Sequence, residues 1–94
     1  MDLTKSLVEF LGTYLALFAI LYTANKYPKY VSLVVGIAFA TVVFLFQDIS
    51  ANFNPAVTLM MVSAKKQPGS DLITLVVPQL LAGYLAFLTY KFIK

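Results

Sequence analysis

The sequence contains no cysteine, histidine, arginine or tryptophan, and only four acidic residues. Without Cys or His there is no Cys or His metal site, no disulfide, no thiol nucleophile and no His-dependent triad. Seven lysines supply all the positive side-chain charge, and charged residues make up 12% of the chain. They lie in short gaps between apolar runs. The net charge of +3 therefore reads as interface anchoring near anionic lipid, with no nucleic-acid partner implied. No internal repeat, low-complexity tract or soluble stretch long enough for its own core is present.

What the chain does have is apolar surface. Hydrophobic residues make up 61% of its 94 positions, above the roughly 45–50% of soluble domains. The composition predicts an all-α integral membrane protein, with residues 1–94 forming a single domain. Met1–Lys5 is a polar lead. Ser6–Ala24 is the first apolar run, long enough to span. It contains Glu9 and lacks a small-residue cleavage site, which sets it apart from a signal peptide. Asn25–Tyr30 reads as an interfacial turn, with Tyr22, Tyr27 and Tyr30 at headgroup level. Val31–Phe46 is the second span. Lys65–Asp71 is the clearest loop. Leu72–Tyr90 is the third span, with a kink expected at Pro78.

Between the second span and that loop lies the stretch Asp48–Leu59. Asn54 is a strong helix N-cap, because its side-chain oxygen can accept a free backbone N–H. Pro55 suits the first helical position. A helix from Pro55 to Ala64 rises only about 15 Å, half of the roughly 30 Å hydrocarbon core. Three spans plus one re-entrant half-helix follow. Residues Ser50–Asn54 cannot then be regular helix. Non-helical backbone at membrane depth must be buried in protein or line a watery cavity.

Glu9 and Gln79 are polar residues inside apolar spans. Each is a candidate support for the N–H and C=O groups of that irregular stretch. The alternatives are snorkelling for Glu9 and a simple helix-to-helix hydrogen bond for Gln79. Small residues recur four apart on each span, at Gly12 and Ala16, Gly36 and Ala40, and Ala82 and Ala86, with Gly83 beside the last pair. Such faces let helices approach closely in lipid. If the half-helix enters and leaves on one side, Lys5, Lys65 and Lys66 share one face, and Lys26, Lys29, Lys91 and Lys94 the other. That balance gives little orienting bias.

The run Ile49–Thr58, centred on Asn54-Pro55-Ala56, resembles the first re-entrant loop of the aquaporin and glycerol-facilitator family. Glu9-Phe10-Leu11-Gly12-Thr13 resembles the signature of that family's first helix. Gln79-Leu80-Leu81-Ala82-Gly83 is similar to a pattern in its third helix. Family members usually carry six spans and two such loops related by inverted symmetry, so this chain looks like one half. It also departs from the pattern. Val57 follows Asn-Pro-Ala, where the family's second loop usually has Arg. Asn52 stands where His is frequent, Val35 aligns with an aromatic of the constriction, and the loop is about one residue short.

The resemblance implies a passive channel, no enzyme activity and no cofactor. Two antiparallel copies would form one pore with their Asn54 residues at its centre. Four such pores in an assembly of eight chains would be the family analogue. Ala51, Asn52, Phe53, Asn54, Pro55, Ala56, Val57 and Val35 would border the path of water and small neutral solutes such as glycerol or urea. Two other functions remain open at this point. One is a dual-topology proton-coupled exporter using Glu9. The other is a half-channel subunit that pairs with a different half carrying Arg.

Overall fold

A computed structural model describes residues 2–93; Met1 and Lys94, counted above in the lead and on the second face, lie outside the described residues. The first helix, α1, runs over Leu3–Lys26. It begins and ends about a turn beyond the apolar run. Asp2 caps it by accepting the Lys5 N–H at 3.2 Å, and Asn25 Nδ2 donates back to the Leu21 carbonyl at 2.9 Å. Hydropathy marks the part of a helix that lipid covers, whereas backbone hydrogen bonding continues until a cap stops it.

Pro28–Tyr30 forms one 3-10 turn with Pro28 at its start, and α2, Val31–Phe46, follows directly. Gln47–Ile49 makes a turn and residues 50–53 are irregular. The half-helix α3 covers Pro55–Ser63, about 14 Å of rise. Lys65, at φ 61°, closes its C-terminus. The Lys65 N–H donates to Val62 O and the Lys66 N–H to Met61 O, which satisfies the last carbonyls and reverses the chain.

The third span is divided into α4, Asp71–Thr74, and α5, Val76–Ile93. The break falls at Leu75, in the turn before Pro78. Pro78 has no N–H to give to the residue four earlier. That residue is Thr74, and its carbonyl instead accepts Ser6 Oγ at 2.8 Å. The proline thus frees an acceptor that ties the third span to α1. Three segments, Leu3–Lys26, Pro28–Phe46 and Asp71–Ile93, are long and apolar enough to cross a membrane.

The most extensive pairing is α1 with α5, where Glu9 meets Gln79 and α5 buries Gln79, Ala82, Ala86 and Tyr90. Gly83 lies against Leu17, whose Cδ1 is 3.4 Å from where a Cβ would project. Tyr14 donates its hydroxyl to Thr89 Oγ1 at 2.8 Å. Phe10, Tyr14, Phe18 and Tyr22 stack at four-residue spacing along α1, and the last two meet Tyr90. At the start of α1, Lys5 pairs with Asp71 at 3.6 Å. The beginnings of the first and third spans therefore share one end of the bundle.

Two sequence expectations need correction. Gly36 and Ala40 were expected to pack α2 against a helix, but both are exposed, and a Cβ on Gly36 meets nothing within 4 Å. The reason is that α2 buries only Val42 in this chain, so its small-residue face points outward. Gly12 is not mainly a helix-to-helix contact either. A Cβ there would overlap the ring of Phe53, a residue of the irregular stretch. Gly12→Ala should therefore lower stability by about 1–3 kcal/mol through overpacking, read as a fall in thermal midpoint in detergent. Gly36→Ala should leave the stability of the single chain within about 0.5 kcal/mol of the parent.

Candidate functional site: the half-helix N-terminus and its support

The site is built on Asn54, which has extended backbone (φ −158°, ψ 122°). Its Oδ1 accepts the Ala56 N–H at 2.8 Å. That bond fixes the amide: Oδ1 is held by the cap, so Nδ2 is the end presented away from α3. Asn54 is exposed, Pro55 half-buried and Ala56 exposed.

The irregular stretch before it is held by one side chain from α1. Glu9 Oε2 accepts Ser50 Oγ at 2.5 Å and the Asn52 N–H at 2.9 Å. Oε1 accepts the Phe53 N–H at 2.7 Å and Gln79 Nε2 at 2.9 Å. Glu9 is 0% exposed, so these four donors replace water around it. Phe53 adopts φ 55°, a left-handed conformation that costs an L-residue about 1–2 kcal/mol. Consecutive N–H groups can then converge on one anionic group. Its ring offsets part of that strain by packing with Ala16 and Val42 in a buried cluster, edge-on to Phe46 and over Gly12.

Thr58, one turn into α3, is the second hub. Its Oγ1 accepts Asn52 Nδ2 and Gln79 Nε2, each at 3.0 Å, and lies 3.3 Å from the Asn54 carbonyl, to which it donates. Gln79 thus reaches the side chains of Glu9 and Thr58, whereas the sequence pointed it at loop backbone. Gln79 Oε1 and Thr13 Oγ1 are buried and have no hydrogen-bond partner among the described residues.

Three adjoining clefts run past this framework. A polar mouth of about 300 Å³ is lined by Lys5, Gln47, Ser50, Ala51, Asn52 and Gln67. The next cleft, also about 300 Å³, shares Ala51 and Asn52 with it and adds Val43, Asn54, Val57 and Phe39. The third, about 270 Å³, shares Phe39 and Asn54 with the second and is lined also by Thr13, Leu17, Phe53, Pro55 and Gln79. The second cleft thus shares lining residues with each of the other two.

Ala51, Asn52, Asn54 and Val57 are therefore brought together, with Pro55 lining the third cleft. Ala56 is exposed at the first turn of α3. Phe53 also lines the third cleft, although its ring is 1% exposed and belongs to the core, because Gly12 leaves a seat for it. Val35 is exposed on α2 but borders none of these clefts; Phe39, one turn further, takes that place. Sequence reasoning missed both Phe39 and Thr58. Thr58 had a signal, since a hydroxyl four residues after an N-cap can reach the cap carbonyl.

Three spans and a half-helix that starts inside the bundle define an integral, multi-pass all-α membrane protein of the re-entrant-loop class. The major intrinsic protein family model matches residues 2–94, and the chain belongs to that family, whose members are membrane channels for water and small solutes. No curated protein and no solved structure matches it.

Glu9→Gln tests the framework. The amide keeps the size but turns an NH2 group toward donors that need acceptors. Stability should fall by about 2–4 kcal/mol, read by thermal melting, and residues 50–53 should become open to proteolysis. An unchanged midpoint would show that the loop does not depend on this carboxylate.

Proposed function

We propose that the chain is a passive channel for water and small neutral solutes such as urea and glycerol, and that two antiparallel copies complete one pore. The observation that carries this reading is the pair of clefts lined by Asn54, whose amide is locked with Nδ2 outward. In this reading one copy lines one side of the path. The outward small-residue face of α2 and the near-even lysine distribution favour a second copy. Inverted halves meeting at the midplane are an established membrane arrangement. An octamer holding four pores would extend the same principle.

In that arrangement two half-helix N-termini face the centre, each carrying roughly half a positive charge. Cations and protons meet an electrostatic barrier, while a neutral solute finds donors at the Asn54 amides and apolar walls at Val57 and Val43. No cofactor or covalent step is involved. Val57, in place of a cation, leaves the path less polar, and Asn52 is turned toward Thr58.

The exporter reading loses support at Glu9. Both carboxylate oxygens are occupied by donors, which leaves the group poorly placed to carry protons between two faces. The mixed-partner reading rests on the missing Arg, and flux from the purified single chain would remove it.

Stopped-flow light scattering on proteoliposomes of the purified chain should show water flux well above protein-free vesicles. Asn54→Asp keeps an N-cap acceptor but replaces the donor with a carboxylate. Water flux should fall about tenfold, equal to about 1.4 kcal/mol of barrier, and cation leak should rise. Equal flux in the two proteins would remove Asn54 from the pore.

A further inference from the structure

Two residues, Phe39 and Asn54, line both of the clefts that flank the half-helix N-terminus. Asn54 is the polar one and presents an amide donor. Phe39 is the apolar one and cannot hydrogen-bond at all. Its ring is half-buried and packs on the cluster of Ala16, Val42 and Phe53, the same cluster that seats the irregular stretch. The ring is therefore held by the support that fixes Asn54, so their separation is a property of the folded chain. Val35 lies four residues earlier on α2, about 6 Å along the axis, and borders neither cleft.

We propose that Phe39 sets the width of the path at its centre, its ring acting as an apolar jaw opposite the Asn54 amide. This rests on the channel reading above and adds to it the residue that discriminates among neutral solutes. A molecule passing between ring and amide keeps hydrogen bonds on one side only. Thin molecules such as water satisfy that with little loss. A polyol must fit its carbon chain against the ring and shed hydration from hydroxyls that face it, so its barrier rises with cross-section. In an antiparallel pair, two Phe39 rings and two Asn54 amides would surround the same axis. Selection then falls at the midplane, and Val35 contributes little.

The test compares proteoliposomes of the parent, Phe39→Ala, Phe39→Leu and Val35→Ala for water, glycerol and xylitol permeability. Phe39→Ala should raise the glycerol-to-water ratio about tenfold and admit xylitol. Phe39→Leu, which keeps apolar packing, should raise it less, and it decides the matter if the alanine variant does not fold. Val35→Ala should change the ratio less than about twofold. A ratio unmoved by either Phe39 variant, or moved as much by Val35→Ala, would overturn the proposal while leaving the channel standing. A parent chain without water flux would overturn both.

Discussion

The structure depends on burying one carboxylate inside a membrane bundle. Glu9 has no exposed surface, and an unpaired carboxylate at that depth would be costly. The irregular stretch before α3 has the opposite problem: backbone N–H groups that lipid cannot satisfy. Each resolves the other. Two backbone N–H groups, the Ser50 hydroxyl and the Gln79 amide all end on Glu9. Removing either side strands the other, which makes the arrangement cooperative. From it follow the left-handed Phe53, the glycine beneath its ring, and the depth at which α3 begins.

Much of this was legible in the residues. Asn54-Pro55 marked the start of α3 because capping and proline geometry are local. Val31–Phe46 matched α2 because proline on one side and Gln47-Asp48 on the other bound a continuous apolar run. Glu9 stood out because an acid in an apolar span needs a partner, although its partner atoms could not be read. The outer turns of α1 were not legible, since Asp2 and Asn25 extend the helix through polar contacts that hydropathy ignores. The break at Leu75 rather than at Pro78 reflects where a proline frees a carbonyl, one turn upstream of itself. Gly36 and Ala40 were misplaced because spacing identifies a close-packing face without saying which molecule covers it. Phe39 was hidden because nothing local separates a cleft-lining aromatic from a lipid-facing one on a helix as uniformly apolar as α2.

The polar groups divide into two sets with different duties. Glu9, Ser50, Thr58 and Gln79 are bonded to one another and to the backbone, so they position the half-helix. Asn54 is an exposed residue whose Oδ1 caps α3, and in the proposed channel it is the group that meets the solute. This separation explains how a chain of 94 residues can hold the helix terminus inside the bundle with so few charges. In the proposed antiparallel pair, the second copy would supply the surface facing these clefts.

The central claim is that two half-helices meet head to head at their Asn54 ends. The chain lacks cysteine, so a single introduced one is a unique label site. Pulsed electron paramagnetic resonance on spin-labelled Ala56→Cys and Ala64→Cys proteins in lipid would measure the distance between copies at the two ends of α3. An antiparallel pair predicts a short Ala56 separation and an Ala64 separation larger by about 25 Å, the summed length of two half-helices. Equal separations at both positions would mean parallel copies and would contradict the account.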